Sequence, residues 1–291
     1  MQRLVECVPN FSEGRKPETV QQIAGAIAAV ETACVLDRHI DPDHNRSVIT
    51  FVASPEHVVA AAVAGVKRAS ELIDMREHQG VHPRLGATDV LPFVPIHGVT
   101  IDDCVALAHR AGNTIAGELA IPVYFYERAA LRPDRVNLED VRRDARLKGE
   151  PDGGPLLFHE TAGAIVVGAR PFLIAFNVVL RSNDLAVARR IARMIRARNG
   201  GLPYLKALGF PLETRGLVQV SMNLVNYEVT GMGHAYNAIR RHADALGVTI
   251  QSTEIVGLVP SNALDQNAEY FEKLENFSED TILENRIAKC F

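Results

Sequence analysis

The chain has 291 residues, 47% of them hydrophobic and 23% charged, with a formal net charge of −4. Such a chain is long enough to bury a large core without disulfide staples and to form about two domains. Its negative balance speaks against a nucleic-acid partner or an anionic membrane surface, though not against a local basic groove for an acidic small molecule. The four cysteines, Cys7, Cys34, Cys104 and Cys290, show no C-x-x-C spacing, and Cys7 and Cys34 lie in apolar runs, as buried thiols do.

In chain order, Leu4 to Pro9 reads as a short strand that follows Met1-Gln2-Arg3 directly, with no signal-peptide pattern. Asn10 to Gly14 is a loop, and Pro17 opens a helix to about Val30 with apolar Val20, Ile23, Ile27 and Val30. Strands follow near Ala33 to Ile40 and Ser47 to Ala53. Ser54-Pro55 then predicts an N-cap and first turn of a second helix, ending near Met75. A strand spans about Asp89 to Ile96, a helix Asp102 to Leu119, and a strand Val123 to Tyr126. The polar segment Arg128 to Gly154 reads as a boundary and mobile connection.

Ala164 to Leu180 is the longest apolar-looking run, but Arg170, Pro171 and Asn177 interrupt it. It predicts two strands joined by a tight turn and no membrane span. Then come a helix over Asp184 to Arg198 bearing Arg189, Arg190, Arg193, Arg196 and Arg198, and strands at Leu205 to Leu212 and Leu217 to Leu224. A helix over Met232 to Leu246, a strand over Thr249 to Val259 and a closing helical tail complete the order. Each half thus reads β-α-β-β-α-β. The expected fold class is α/β (α+β), two split β-α-β subdomains with mixed sheets, dividing as residues 1–163 and 164–291.

The stretch DMREHQGVHPRLGATDVLPFVP, Asp74 to Pro95, concentrates the chemistry. A non-repeating loop between a helix and a strand is where functional groups sit. Pro83 biases His82 toward extended backbone. Three readings of His82 stand side by side. It is a loop histidine bonded to its neighbours, a metal ligand with His78 four residues earlier, or a general acid/base. Pro83 and the absence of His-Glu-x-x-His weigh against metal. In the tight loop Asp41 to Arg46, the residues suit a turn, and Asn45 with Arg46 also suits binding of a carboxylate. Gly153-Gly154-Pro155 to Gly163, and Asn199-Gly200-Gly201 to Gly209, fit neither nucleotide-binding glycine pattern. By composition they are connectors, or loops that let backbone approach a flat ligand. No G-x-S-x-G elbow or nucleophile–histidine pair stands out, so a mechanism without a covalent enzyme intermediate is the economical expectation.

LVECVPNFSEG, HNRSVITFV from His44, ASELIDMREHQGVHPRLGATDVLPFVP, PVYFYE from Pro122, GARPFLIAFNVVL from Gly168 and LVQVSMNL from Leu217 together span nearly the whole chain. On these motifs the chain resembles the glutamate formimidoyltransferase (glutamate formiminotransferase) family, the transferase part of formimidoyltransferase-cyclodeaminase. The resemblance implies two α/β subdomains whose sheets face each other with helices outside. It implies transfer of the formimino group of N-formimino-L-glutamate to N5 of tetrahydrofolate, the co-substrate, in histidine breakdown, in a cytoplasmic homodimer with no metal. The catalytic histidine of the family falls on His82. Its folate-binding stretches fall on Gly154, Pro155, Leu156, Leu157, Phe158, His159, Glu160, Thr161, Ala162 and Gly163, and on Gly200, Gly201, Leu202, Pro203, Tyr204, Leu205, Lys206, Ala207, Leu208 and Gly209. Loop placement adds Arg46 and Arg84, with Asn45, for the glutamate carboxylates, and Asp37 or Asp89 for the cationic amidine. Two alternatives remain: a 5-formyltetrahydrofolate:glutamate formyltransferase, and a non-catalytic folate-binding protein.

Overall fold

The computed structural model describes residues 3–42, 44–80, 84–147 and 149–291. The fold is α/β, with eight α-helices and two mixed sheets among the described residues. It divides into two compact units, Met1–Arg170 and Pro171–Phe291. No described helix is long and apolar enough to cross a membrane.

The first unit runs β1 (Leu4–Cys7), β2 (Asn10–Phe11), α1 (Pro17–Ala28), β3 (Cys34–Asp41), β4 (Arg46–Ala53), α2 (Val58–Leu72), β5 (Thr88–His97), α3 (Ile101–Leu119), β6 (Val123–Glu127), α4 (Leu138–Arg146) and β7 (Ile165–Ala169). Its sheet has the order β1-β4-β2-β5-β7-β6, with β3 paired to β4. Strands β5, β7 and β6 are mutually parallel, and the other pairs are antiparallel. Helix α1 forms because Pro17 suits a first turn and Val20, Ile23, Ala24 and Ile27 repeat at helical spacing. That stripe, with α2 and α3, covers one face of the sheet through Phe11, Ile49, Phe51, Leu91 and Phe93. Cys7 and Cys104 are buried free thiols in this core, whereas Cys34 is only half-buried.

Two expectations need correction here. Ser54 does not cap α2. Its carbonyl accepts from His57 and Val58 in a turn, and the helix starts at Val58. The Ser54 hydroxyl is taken up by His57 and Thr32 instead. The two strands expected in Ala164 to Leu180 are present as Ile165–Ala169 and Ile174–Leu180, and they belong to different sheets. β7 lies between β5 and β6 of the first sheet, so the compact units divide after Arg170, past the expected division at Gly163.

The segment expected to be a mobile connection is folded onto β6. Arg135 is fully buried and sits between Asp144 (2.7 Å), Asp152 (2.8 Å) and the Glu150 carbonyl (2.5 Å). Its guanidinium lies over the Tyr124 ring at 5.0 Å. Helix α4, with Val141 and Ala145 at helical spacing, covers Val90, Tyr124, Tyr126 and Val166 on the sheet face away from α1 to α3. The apolar spacing was in the sequence, but the charged residues around it hid the helix.

Glu6 sits in mid-β1 opposite Val52 and Val94, 1% exposed, and its Oε1 has no partner. Burial pushes its carboxyl up from 4.5 to about 7, against the pull of Arg170. The folded state therefore keeps a proton that the unfolded chain has released, and stability falls as pH rises from 4.5 to about 7. The loss amounts to about 3 kcal/mol, at about 1.4 kcal/mol per tenfold change. Glu6→Gln is expected to raise the urea midpoint at about pH 8 and to leave it unchanged near pH 4. Equal midpoints at the higher pH would refute the buried-charge argument.

The second unit runs β8 (Ile174–Leu180), α5 (Leu185–Ile195), β9 (Leu205–Leu212), β10 (Leu217–Leu224), α6 (Met232–Asp244) and β11 (Ile250–Val256), the expected β-α-β-β-α-β order. It closes with α7 (Glu269–Glu272), β12 (Leu274–Glu275) and α8 (Leu283–Ala288), so the tail is shorter and more broken than one closing helix. The sheet order is β12-β11-β8-β10-β9. Phe176, Val178, Val220 and Met222 point to α5 and α6. Asp184 caps α5 by accepting from Ala186 N–H.

Candidate active site

The site forms in the first unit where β2, the β3–β4 turn, the loop before β5 and α4 converge. Asn45 is the clamp. It adopts a left-handed φ of 48°, which Asn tolerates. Its Oδ1 accepts from Gly14 N–H (2.9 Å), and its Nδ2 donates to the Gln79 carbonyl (2.9 Å) and to His78 Nδ1 (3.3 Å). These bonds fix the amide's orientation and leave the His78 proton on Nε2, an atom buried without a partner. Burial, reinforced by Arg84, lowers His78 to about 4, so it is a neutral donor at physiological pH. Gly14 lies so close to this turn that a Cβ would meet the Asp41 carbonyl at 2.2 Å. The turn itself is braced by His44, whose ring contacts Asp41 Oδ2 at 2.6 Å.

Three arginines surround one carboxylate. Asp89, 3% exposed, accepts from Leu85 N–H (2.8 Å) and is paired with Arg142 of α4. Arg46 donates to Asn10 Oδ1, and Arg84 donates to the carbonyls of His44 (3.2 Å) and Asn45 (3.4 Å). A small cavity is lined by Phe11, Ser12, Arg46, Arg84 and Asp89. Burial lowers Arg46 to about 10, opposed by Asp89 and reinforced by Arg142, which leaves it cationic at neutral pH. Nε of Arg46 and Nε of Arg142 are buried N–H groups with no partner. Unpaired buried donors on cations are costly, and an anionic oxygen would relieve them. The arrangement attracts an anion, and the cavity as packed leaves no room for a water molecule, so a carboxylate enters only if the arginine side chains move apart.

The loop before β5 is locked against the first glycine-bracketed stretch. Gly86 and Gly163 bridge each other, and a Cβ on Gly163 would meet the Leu85 carbonyl at 2.2 Å. Ala87 N–H bonds to the Ala162 carbonyl (2.8 Å), Met75 N–H bonds to Thr161 (2.8 Å), and Arg76 pairs with Glu160 (2.7 Å). His159 closes the stretch on itself by accepting from Thr161 and Ala162 N–H. Leu156 and Leu157 stay exposed at 71% and 80%. In the second unit, Gly201 packs against the end of α5 and Tyr204 is 53% exposed at φ 56°.

Of the residues singled out in the sequence, Asn45, Arg46, Arg84 and Asp89 come together. Asp37 lies on β3 opposite Thr50 and does not line the cavity. His82 lies outside the described residues. Its described neighbours, Gly80 and Arg84, both lie against the turn at residues 44–45. Sequence reasoning missed Arg142, Asn10, Ser12 and the donor role of His78. Ser12 ties β2 to the active loop by donating to the Gly86 carbonyl (2.8 Å). The Leu138, Val141, Ala145 spacing was the signal that could have found α4 and, with it, Arg142.

Residues 4–170 match the family model of the formiminotransferase domain, N-terminal subdomain, and residues 175–289 that of the formiminotransferase domain. The chain is 47% identical to the glutamate formimidoyltransferase of Thermoplasma acidophilum, over 99% of this chain and 98% of that one. It is 41% identical to the glutamate formimidoyltransferase of Streptococcus pyogenes serotype M1, over 99% of each. It is 43% identical to the formimidoyltransferase-cyclodeaminase of Rattus norvegicus, over 95% of this chain and 54% of that protein.

Proposed function

The chain belongs to the formiminotransferase family, and on that premise we propose that it is a folate-dependent glutamate formimidoyltransferase. It moves the formimino group of N-formimino-L-glutamate to N5 of tetrahydrofolate, in histidine degradation. The end-to-end match to two enzymes of that name carries the reading. The arginine-lined cavity fits it, because the donor substrate brings carboxylates to a site with unpaired cationic donors.

Each residue has a role. Arg46 and Arg84, with Arg142 behind Asp89, hold the glutamate carboxylates. Asp89 favours the cationic amidine. His82 accepts the proton that N5 loses on bond formation and returns it to the departing glutamate nitrogen. Holding both substrates together supplies much of the remaining rate, since no covalent enzyme intermediate is involved. The Gly154 to Gly163 and Gly200 to Gly209 stretches approach the folate, with the exposed Leu156 and Leu157 offering apolar surface. The protein acts as a cytoplasmic homodimer.

Steady-state assays with tetrahydrofolate and formiminoglutamate test this, with 5-formyltetrahydrofolate plus glutamate run in parallel. Turnover of the formimino donor is expected. Turnover of the formyl pair alone would change the substrate. Folate binding without turnover of either would make the chain a binding protein.

A further inference from the structure

The second unit carries a row of polar side chains, beginning beside Leu208 of the Gly200 to Gly209 stretch, to which no role has been given. Its sheet buries one face under α5 and α6 through Phe176, Met222 and Ala207. On the opposite face, register aligns one row straight across the strands: Leu208 of β9, Ser221 of β10, Asn177 of β8 and Glu254 of β11. Asn177, 9% exposed, donates from Nδ2 to Glu254 Oε2 at 3.0 Å. This bond draws the carboxylate toward the middle strand. Glu254 is half-buried and makes no ion pair among the described residues, while the nearby Arg215 is engaged by Glu275 at 2.9 Å. A carboxylate on a sheet face with one neutral amide as its hydrogen-bond partner, and with its nearby cation Arg215 bonded to another acid, is short of donors.

Beside it, Ser221 Oγ accepts from Gln219 Nε2 (3.0 Å), so the hydroxyl proton is free to point elsewhere. One strand spacing, ~4.8 Å, separates that hydroxyl's strand from the carboxylate held over Asn177. The row thus presents an acceptor of two N–H groups next to one O–H donor. Leu208 (56% exposed) and Phe210 (38%) supply apolar surface on the same face.

Resting on the transferase reading above, we propose that this row, centred on Glu254, reads the 2-amino-4-oxo edge of the reduced pterin in tetrahydrofolate. Glu254 accepts from the 2-amino group and the adjoining ring N–H. Ser221 donates to the 4-oxo oxygen. Leu208 and Phe210 lie along the ring.

The test compares tetrahydrofolate with its analogue bearing a methyl in place of the 2-amino group, by equilibrium titration of wild type, Glu254→Gln and Glu254→Asp. Wild type is expected to favour the parent by about 10- to 100-fold, the range for losing a hydrogen bond to a charged group. Glu254→Gln is expected to bring that ratio below about threefold by weakening the parent alone, with the KM for formiminoglutamate unchanged. Glu254→Asp, which keeps the charge but withdraws it by one methylene, is expected to fall between. If wild type binds the parent and both variants discriminate as it does, the subsite is overturned and the transferase reading stands. If wild type does not bind tetrahydrofolate, both are overturned.

Discussion

Replacing His82 by alanine is expected to lower kcat for formimino transfer by about 10²–10⁴ with both KM values nearly constant. N5 of tetrahydrofolate must lose a proton as it bonds to the amidine carbon, and the glutamate nitrogen must gain one as it leaves. One imidazole can do both, since histidine is the side chain whose charge change lies nearest neutral pH. The neighbouring histidine cannot substitute. His78 is bound through Nδ1 to Asn45, and burial lowers it to about 4, below any working pH. The wild-type kcat profile is therefore expected to inflect near neutrality, the inflection to vanish in His82→Ala, and to persist in His78→Gln. Full activity in His82→Ala would return that residue to a structural role.

Arg135→Ala is expected to cost about 3–5 kcal/mol of unfolding free energy, the range for removing one partner of a buried ion pair. The side chain is fully buried, and its loss strands Asp144 and Asp152 and frees the Glu150 carbonyl. It also removes the cation from the Tyr124 face. Arg135→Lys recovers only part of this, because a point charge cannot reproduce the guanidinium fork. The effect reaches the site as well. Arg135 holds Asp144 of α4, and α4 carries Arg142 to Asp89, so the KM for formiminoglutamate is expected to rise in folded variant. Urea unfolding measures the first effect and steady-state kinetics the second. A loss under about 1 kcal/mol, as at an exposed pair, would refute the hub.

Where apolar residues repeat with one period, as in α1 or in β9 and β10, the elements were legible and their bounds nearly so. Legibility failed where side chains do the organising. Nothing local shows that Arg135 will be buried among acids from positions 144 and 152. Nor can Ser54 announce that its hydroxyl will be claimed by His57. Asn45, Arg46, Arg84 and Asp89 could be singled out by loop placement, although Asn45 and Arg46 also suit a plain turn, and the structure brings the four together. Arg142 could not, because it reaches Asp89 from a helix that charge had disguised as a connector.

The insertion of β7 between β5 and β6 has a consequence for the order of synthesis. Val90 to Phe93 and Val123 to Glu127 pair with β7 and not with each other, so without it both strands have open edges. The first 160 residues can collapse around α1, α2 and α3 but cannot close their sheet. At about 5–20 residues per second, a ribosome takes roughly 2–8 s from the end of β6 at Glu127 to the end of β7 at Ala169, and the sheet is incomplete for that time. For that interval the nascent chain displays two strand edges that another chain could pair with, a window in which a holding chaperone has something definite to cover.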